Sequence, residues 1–465
     1  MNEFKEAPLE NVMATGLHRL RHDDPELYDI LVRELDRQSN VLSLVASSSV
    51  VDPSVLASQA SVAVNVTAEG YPGRRYHAGC EVVDDIEQLA IDRARRTFGA
   101  RYANVQSHSA TNANYTVLSA LLRPGDSLLG MELEHGGHLT HGSPAAYAGQ
   151  YFRAVGYGLT DEGLIDYDQV HGLATEHRPR VIICGATAYP RTVDFARFRK
   201  IADDVGAYLL ADISHTAGLV AAGLHPSPID HAHITTTCTH KQLFGPRGGL
   251  ILSGRDHESP APRGKGTLAE FIQRAVFPFS QGAPALNTIA AKARALEMVT
   301  AVEFREVAAR IVEIGGVLAV TLTDLGHRLV SGGTDNHIVL VDLAPKGMTG
   351  LVAERALEEC GIIVNKNRVP RDTTPAFVTG GIRIGTNSAA LRGLGRDDAS
   401  HCAELIDLVL RSVEVRGERT YRVPPSVRKS VRAGVADLCA RRPLAGYPAM
   451  ELVRAVDEVE TGRVP

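Results

Sequence analysis

The chain has 465 residues, of which 49 are basic and 54 acidic, so its formal net charge is -5 at neutral pH. A chain of this length is expected to form two or three domains around a large core, which excludes a small fold held together by disulfides or metal. The near balance of charge gives no support for nucleic acid or an anionic membrane as the main partner.

Residues 1–42 are predicted to form a helical arm. Apolar residues recur there at spacings of three and four among charged ones: Leu27, Ile30, Leu31 and Leu35. The charged N-terminal segment lacks the apolar run of a secretory signal, and no stretch reaches the about 20 apolar residues of a membrane span. The six cysteines are scattered, without a CxxC pair or a zinc-binding pattern. We therefore expect a reduced, cytoplasmic protein without a structural metal.

Residues 43–296 are predicted to form a large α/β domain. Apolar runs alternate with amphipathic stretches in this order: VIICGA (181–186), a helical segment at 195–205, HITTTC (233–238) and GGLILSG (248–254). Gly206 follows the helical segment as its C-terminal stop. Strands that alternate with helices pair in parallel, so we expect a mostly parallel central sheet with helices on both faces.

Residues 297–465 are predicted to form a smaller C-terminal α/β domain. Its strands are expected in HIVLVDL (337–343), GIIVN (361–365) and GIRIGT (381–386), with helices around 350–360 and 399–415. The segment after Arg416 is basic at first and contains two proline-rich turns, and we expect it to form an ordered peripheral extension.

Polar residues at strand ends are the first candidates for a functional site, because open parallel sheets bind ligands beyond the carboxyl ends of their strands. Strand-like YANVQ leads into SHSATNAN (107–114), whose small hydroxylated residues open a helical stretch. Such a segment can bind a phosphate through backbone N–H groups, although the same residues also serve as ordinary helix caps. Asp212 follows a second strand, with His215 close behind it, and Lys241 follows a third.

The combination of Asp212 and Lys241 indicates a pyridoxal phosphate site. A lysine amine can form an imine with an aldehyde cofactor, and a buried carboxylate can keep the ring nitrogen of that cofactor protonated. The cofactor then accepts the electrons released when an amino acid loses a substituent from its Cα. Each residue also has a structural explanation, Asp212 as a strand-end cap and Lys241 as a solvated or ion-paired side chain.

Six segments together carry a resemblance to a known family: TAEGYPGRRY (67–76), GCEVVDDIEQLAIDRA (79–94), GGHLTHG (136–142), YLLADISHTAGLVAAG (208–223), THKQLFGPRGG (239–249) and SGGTDNH (331–337). They resemble serine hydroxymethyltransferases, in the same order and spacing, over about residues 25–415. The resemblance implies a fold-type-I pyridoxal-phosphate-dependent transferase with tetrahydrofolate as co-substrate. It also implies a homodimer with active sites shared between subunits, and it leaves a tetramer open.

The resemblance assigns cofactor-binding roles to matching positions. Lys241 resembles the imine-forming lysine, and Asp212 the partner of the ring nitrogen. His138 occupies the place of the histidine stacked on the ring, and His215 that of the histidine beside the phenolic edge. Further cofactor-binding positions, the first three of them at the phosphate, are Ser109, Ala110, Thr111 and Thr187.

Substrate-binding and catalytic positions are implied in the same way. Arg383 resembles the arginine that binds the substrate carboxylate as a bidentate fork, and Ser47 falls on a serine that helps to hold it. Glu69 matches the glutamate that handles protons at the hydroxymethyl group, and it joins Lys241, His138 and Asp212 as a catalytic residue. Folate-contacting positions, in addition to Glu69, are Tyr76, Leu133, Leu139 and Asn367.

The sequence departs from the family pattern around the substrate's Cα. Thr67 and His77 each stand where the family usually has a tyrosine, and both are assigned to the substrate wall. Other departures are Ser48-Ser49 in the segment that usually reads ASEN, Ala110 in the phosphate segment, Cys238 before the lysine, Phe279-Ser280 in place of two glycines, and Ala283 in QGAP.

Thr67 leads to a specific hypothesis about the substrate. Replacing a tyrosine by threonine empties space in a packed site, and a substrate with an additional carbon on Cα would fill that space. The leading hypothesis is therefore an α-methylserine hydroxymethyltransferase that moves a hydroxymethyl group between tetrahydrofolate and an alanine-type acceptor, with α-methyl-L-serine and D-alanine as the pair.

Three alternatives remain open. The first is an ordinary serine hydroxymethyltransferase that acts on L-serine and glycine. The second is a threonine-type aldolase or transaldolase that needs no folate, and the retained Glu69 and folate positions weigh against it. The third is a cofactor-binding protein without catalysis, against which the intact Lys241, Asp212 and Arg383 argue.

Overall fold

The computed structural model describes residues 8–448 of the chain. Its α-helices are α1 (Pro8–Asp23), α2 (Pro25–Asn40), α3 (Pro53–Gln59), α4 (Glu81–Phe98), α5 (Ala110–Leu121), α6 (Tyr147–Tyr151), α7 (Tyr167–His177), α8 (Phe195–Val205), α9 (Ala217–Ala221), α10 (Leu268–Arg274), α11 (Leu286–Val299), α12 (Val302–Asp324), α13 (Gly350–Glu359), α14 (Asn387–Leu391), α15 (Arg396–Ser412) and α16 (Pro425–Arg441).

The strands of the same part of the chain are β1 (Leu42–Ser43), β2 (Gly70–Tyr71), β3 (Arg74–Arg75), β4 (Tyr102–Asn104), β5 (Ser127–Met131), β6 (Arg153–Tyr157), β7 (Val181–Cys184), β8 (Tyr208–Asp212), β9 (Ile234–Cys238), β10 (Gly249–Ser253), β11 (Arg328–Leu329), β12 (Ile338–Asp342), β13 (Ile362–Ile363), β14 (Asn365–Asn367), β15 (Gly381–Gly385), β16 (Glu414–Val415) and β17 (Tyr421–Arg422).

The central sheet has seven strands in the order β4, β10, β9, β8, β7, β5 and β6. The neighbours from β9 to β6 pair in parallel, as predicted. Strand β10 pairs antiparallel with both β9 and β4. The reason is local, because the chain between β9 and β10 turns back without the helical crossover that a parallel pair needs. The sheet is thus mixed and mostly parallel, which confirms the α/β class.

Helix α8 shows how the sequence pattern produces one of the covering layers. Phe195, Phe198 and Ile201 lie on one face of the helix, and all three are buried in the main hydrophobic core. The side chain of Asp194 caps the N-terminus by accepting the backbone N–H of Arg197 at 2.9 Å. Gly206, with φ of 71°, ends the helix in the left-handed conformation.

A second sheet lies within residues 297–465 and contains β11, β12, β15 and β14, which all pair antiparallel. The predicted strand GIIVN is divided in two, since β13 pairs in parallel with β1 while β14 joins this sheet. The arm therefore leads into contact with the C-terminal part of the chain. Residue 297 falls inside α11, and a domain boundary there remains a proposal.

Helices α1 and α2 occupy residues 8–40 of the predicted arm, whereas residues 1–7 lie outside the described residues. The expected C-terminal extension contains β17 and α16, and its residues beyond 448 are likewise outside. All six cysteines are buried and free. Across residues 8–448 we find no helix with the length and apolar character that a membrane span requires.

Candidate active site

A cavity of about 290 Å³ opens where the carboxyl ends of β7, β8 and β9 meet the N-terminus of α5. Strand ends that meet at one edge of a parallel sheet are where such folds bind ligands. Predicted residues that line this cavity are Ser47, Ser109, Ala110, Thr111, His138, Thr187, Asp212, His215 and Lys241. A larger cleft of about 610 Å³, bordered by 159–163 and 369–374, contains none of the predicted site residues.

Asp212 is a buried carboxylate that hydrogen bonds keep ionised. Its Oδ2 accepts from Asn114 Nδ2 at 2.8 Å and faces His141 Nε2 at 3.1 Å. Its Oδ1 accepts from the backbone N–H and the hydroxyl of Ser214, at 3.0 and 2.6 Å. Burial alone would raise the pKa of Asp212, but the hydrogen bond from His141 and the other donors outweigh it and hold that pKa well below its usual range.

His141, which contacts Asp212, is oriented by a hydrogen bond from His138. His141 Nδ1 accepts the backbone N–H of His138 at 3.3 Å, so we assign the proton of the ring to Nε2, which donates it to Asp212. Asn114 also donates to Thr140 Oγ1 at 2.9 Å and accepts from Thr236 at 2.6 Å. Three chain segments are thereby fixed around one carboxylate.

His138 is held by the same network and is neutral. Its Nδ1 accepts the backbone N–H of Thr140 at 3.2 Å and lies 2.8 Å from the Thr140 hydroxyl. Burial, with a smaller contribution from His141, lowers the pKa of His138 to about 4. A neutral imidazole at the edge of the cavity suits stacking against an aromatic cofactor ring.

Lys241 follows β9 and is partly exposed to the cavity. Its position depends on a turn in which the hydroxyl of Thr239 donates to Pro246 O at 2.6 Å and Gly245 N–H donates to Thr239 O at 2.9 Å. Within residues 8–448 no ion pair or hydrogen bond engages the Lys241 amine. The ion-paired explanation of this lysine thus has no support in the structure, and its amine is available to an aldehyde.

His215 lies against a second histidine that the sequence analysis did not assign. The rings of His215 and His337 stack with centroids 5.5 Å apart, and His215 Nδ1 is 3.3 Å from His337 Nε2. Burial lowers the pKa of His337 to about 3 and that of His215 well below its usual range. Both rings are therefore neutral at physiological pH.

Arg383, on β15, is a buried guanidinium without an acidic partner among the described residues. Its Nε donates to Asn365 Oδ1 at 3.0 Å, and its Nη1 donates to the carbonyl of Thr187, which lines the cavity. Burial lowers the pKa of Arg383 to about 10. A charged group this deeply buried normally has a counter-ion, and its unused N–H groups fit a carboxylate.

Ser47 is brought towards the same strand by close backbone packing. A Cβ at Gly385 would lie 2.2 Å from Ala46 Cα, so only glycine permits this approach. Asn387 Nδ2 donates to Ala46 O at 3.0 Å, and Ser49 Oγ donates to His240 O at 2.7 Å. The serine segment is thus anchored on both sides of the cavity.

The N-terminus of α5 provides the anion-binding groups. Ser109 is its N-cap and accepts the backbone N–H of Asn112 at 3.1 Å. No hydrogen bond among residues 8–448 uses the backbone N–H groups of Ala110 and Thr111, which belong to the first helical turn. Such groups and the helix dipole attract phosphate.

Glu69 and Tyr76 lie apart from this cavity. They line a second one, of about 490 Å³, together with Phe277, Phe279 and Gln281. His77 Nε2 is 3.6 Å from Glu69 Oε2. Thr67 is exposed and borders neither cavity. A single chain therefore contains two separate groups of predicted site residues.

The remaining folate positions lie on neighbouring loops. Leu133 and Leu139 are each about half exposed, and Asn367 ends β14. An ion pair of 2.5 Å between Arg368 and Glu134 links the Asn367 segment to the Leu133 segment. The ion pair thus places the predicted positions Leu133 and Asn367 in one surface region.

The first cavity fits pyridoxal phosphate in its chemistry. It offers a free amine for the aldehyde, a carboxylate with a lowered pKa for the ring nitrogen, and a helix N-terminus for the phosphate. The fold and the donor set together define a fold-type-I pyridoxal phosphate enzyme.

Comparison with known proteins gives the family. The family model described as serine hydroxymethyltransferase matches residues 20–406. A serine hydroxymethyltransferase from Rhodospirillum centenum is 49% identical over 433 residues, which cover 93% of this chain and 97% of that protein. One from Zymomonas mobilis subsp. mobilis is 48% identical over 433 residues, with the same coverage. The chain belongs to the serine hydroxymethyltransferase family.

Membership of this family confirms the predicted enzyme class and cofactors. The protein is a pyridoxal-phosphate-dependent hydroxymethyltransferase, and its family uses an amino acid and tetrahydrofolate as substrates. The individual residue roles, the amino-acid pair and the oligomeric state go beyond the family match.

Proposed function

We propose that this enzyme transfers the hydroxymethyl carbon of L-serine to tetrahydrofolate and releases glycine, and that it catalyses the reverse reaction. Two relatives that are 48–49% identical over nearly their whole length carry the name of this activity. The structural observation behind the proposal is Arg383, a buried cation next to the Lys241 cavity that has no acidic partner among residues 8–448. An amino acid supplies the carboxylate that such a cation requires.

Arg383 and Ser47 would bind the substrate carboxylate. Asn365 accepts a hydrogen bond from Nε of Arg383 and the carbonyl of Thr187 accepts one from Nη1, which fixes the plane of the guanidinium and leaves the N–H groups of Nη2 for the ligand. Fixing the guanidinium in advance reduces the entropy lost on binding. Arg383 therefore orients the amino acid, and we assign it to affinity for the substrate.

Lys241, Asp212 and His138 would hold the cofactor. Pyridoxal phosphate, when bound, supplies an electron sink that stabilises negative charge on the substrate's Cα. The buried Asp212 carboxylate would hold the proton of the ring nitrogen, and His141 and Ser214 would keep that carboxylate charged. The phosphate would bind at Ser109, Ala110 and Thr111, with His215 and Thr187 on the cavity wall.

Glu69 would move the protons of hydroxymethyl transfer, with His77 as its neighbour and Tyr76 on the folate side. Since these residues lie apart from Lys241 in one chain, we propose a homodimer in which each subunit completes the site of the other. The exposed rings of Tyr76 and Phe279, at 74% and 67%, support an interface there.

A second candidate reaction uses α-methyl-L-serine and D-alanine. Thr67 and His77, where the family usually has tyrosines, are the observation that favours it. The comparisons favour L-serine and glycine instead, because the relatives are named for that activity. Thr67 is also exposed in the single chain, so the space expected beside it is not enclosed there.

A competition between acceptors tests the proposal. Purified enzyme with pyridoxal phosphate and methylene-tetrahydrofolate is given glycine, D-alanine or L-alanine at equal concentration, and product formation is followed by chromatography. We expect glycine to be the preferred acceptor. A clear preference for D-alanine would overturn the proposed amino-acid pair and favour the α-methylserine reaction. Cleavage of a β-hydroxy amino acid in an enzyme that shows no folate-dependent transfer to any of the three acceptors would favour the aldolase alternative.

A further inference from the structure

Lys292, on α11, is a buried lysine to which the proposed function gives no role. We propose that Lys292 is a positioning residue for the cofactor phosphate, and that its ammonium holds the end of β4, which leads into the phosphate-binding segment, against the start of β10. The inference rests on the proposed assignment of Ser109, Ala110 and Thr111 to that phosphate.

All three N–H donors of the Lys292 ammonium are used on backbone carbonyls. Its Nζ donates to Val105 O at 2.6 Å, to Ser107 O at 2.9 Å and to Gly249 O at 3.0 Å. The side chain is only 1% exposed. Burial of a lysine is costly unless it makes such bonds, so a hydrophobic residue would be the ordinary choice at this position.

Two of the three carbonyls lie just before the phosphate-binding segment, and the third lies on the strand next to it. Val105 directly follows β4, and Ser107 comes two residues before the helix cap Ser109. Gly249 begins β10, and its N–H donates to Ser107 O at 2.9 Å. Lys292 therefore joins the β4 end to the β10 start at the point where the chain leaves the sheet for α5.

Two glycines allow the lysine and the helix to approach the same strand. A Cβ at Gly248 would lie 2.3 Å from Lys292 Cε, and a Cβ at Gly249 would lie 2.4 Å from Ser109 O. The start of β10 is thus placed between the Lys292 side chain and the first turn of α5. A displacement of the Lys292 side chain would therefore displace the start of β10 and, with it, the N-terminus of α5.

The charge of Lys292 has no direct acidic partner in the described part of the chain. Burial lowers the pKa of Lys292 to about 7. Glu87 is the acidic group that opposes this shift, but that carboxylate binds Arg75 at 2.6 Å and Gln106 at 2.8 Å. The other titratable neighbour, His108, has its pKa lowered by burial and then by Lys292 itself. The three carbonyl acceptors around Nζ need three N–H donors, which only the ammonium has, so the bonded form is charged and adds positive charge behind the helix N-terminus, where a phosphate dianion would bind.

The test compares two ligands that differ only in the phosphate. Pyridoxal has the aldehyde and ring of pyridoxal phosphate but lacks the phosphate group. The dissociation constants of both are measured by the visible absorbance of the bound aldehyde, on full-length enzyme resolved of its cofactor. Lys292→Met keeps the length of the side chain and removes its charge and donors. Thermal unfolding of each variant reports its folding.

We expect Lys292→Met to weaken pyridoxal phosphate binding by about tenfold or more, and pyridoxal binding by less than about twofold. Arg294→Met, on the same helix but bonded to Ser54 instead, is the matched control and should change neither constant. Equal weakening of both ligands by Lys292→Met, or no weakening of either, would overturn the proposal.

Two further variants distinguish failure of this proposal from failure of the phosphate assignment on which it rests. Ser109→Ala tests the underlying phosphate assignment, and it should also weaken pyridoxal phosphate selectively. If Ser109→Ala has no selective effect while Lys292→Met does, the assignment of Ser109 is wrong and Lys292 still acts on the phosphate. Lys292→Gln, which retains one donor group, replaces Lys292→Met if that variant does not fold. If neither lysine variant folds, the role of Lys292 is to stabilise the folded protein, and the proposal is overturned.

Discussion

His141 Nε2 lies 3.1 Å from Asp212 Oδ2, and this hydrogen bond is the largest of the contributions that keep a buried carboxylate ionised. Asp212 comes from the end of a central strand, whereas His141 comes from a short turn between β5 and α6. The cofactor's ring nitrogen needs a partner that is always charged, because a protonated Asp212 could not hold a positive ring nitrogen. In the proposed assignment of Asp212 to the ring nitrogen, the geometry around this carboxylate would set the electron-accepting strength of the site.

Replacing this histidine should move the acid limb of the pH profile. The pKa of Asp212 is lowered in the folded protein, so its contribution is present at high pH and is lost as the pH falls through that pKa. His141→Phe removes the donor that lowers it, so we expect the acid limb of kcat/KM to shift to higher pH and the maximal rate to fall. His171→Phe, at an exposed ion pair on α7, is the control and should leave the profile unchanged.

Arg383→Lys should impair binding of the amino acid far more than binding of the cofactor. An ammonium cannot reproduce the planar fork that Asn365 and Thr187 hold in place. Loss of one partner of a desolvated charge pair typically costs about 2–5 kcal/mol, which appears as a higher KM for L-serine. Ser47→Ala should give a smaller increase. A KM for L-serine that stays the same in Arg383→Lys would remove this arginine from the site.

Glu69→Gln should separate the folate-dependent activity from the folate-free one. A glutamine keeps the shape of the side chain but cannot accept a proton, so transfer to tetrahydrofolate should fall much more than cleavage of a bulky β-hydroxy amino acid. Both rates are measured on the same preparation, with visible absorbance as the check on bound cofactor. Equal loss of both activities would instead make Glu69 a structural part of the site.

Thr67→Tyr tests whether the residue limits the size of the substrate. If Thr67 faces the substrate in a dimer, the larger ring should reduce any activity on D-alanine or α-methyl-L-serine and spare L-serine and glycine. Overfilling a packed site typically costs about 1–3 kcal/mol, or roughly 5- to 150-fold in rate. Identical changes for both substrate pairs would exclude this role for Thr67.

The strand-end positions were predictable because apolar strands are easy to recognise. Runs such as YLLA and HITTTC placed Asp212 and Lys241 correctly at one edge of the sheet. The direction of β10 was not predictable, because the apolar pattern of GGLILSG is compatible with either a parallel or an antiparallel strand. Only the geometry of the turn that carries Lys241 fixes it.

The residues that support the site were harder to find. His141 and Asn114 stand in segments that the sequence analysis singled out, but their roles arise only when three distant segments meet at Asp212. Lys292 resembles any solvated lysine on an amphipathic helix. The one local signal is its setting among small residues in AAKARA, which is typical of a helix face packed closely against strands.

The central claim is transfer of one carbon from L-serine to tetrahydrofolate, and stoichiometry tests it most directly. Wild-type enzyme and Lys241→Ala are each incubated with L-serine, pyridoxal phosphate and tetrahydrofolate, and glycine and methylene-tetrahydrofolate are counted over time. We expect wild type to form the two products in equal amounts, and Lys241→Ala to form neither while it unfolds at the wild-type temperature. Glycine formed without methylene-tetrahydrofolate, or equal rates in the two proteins, would contradict the account.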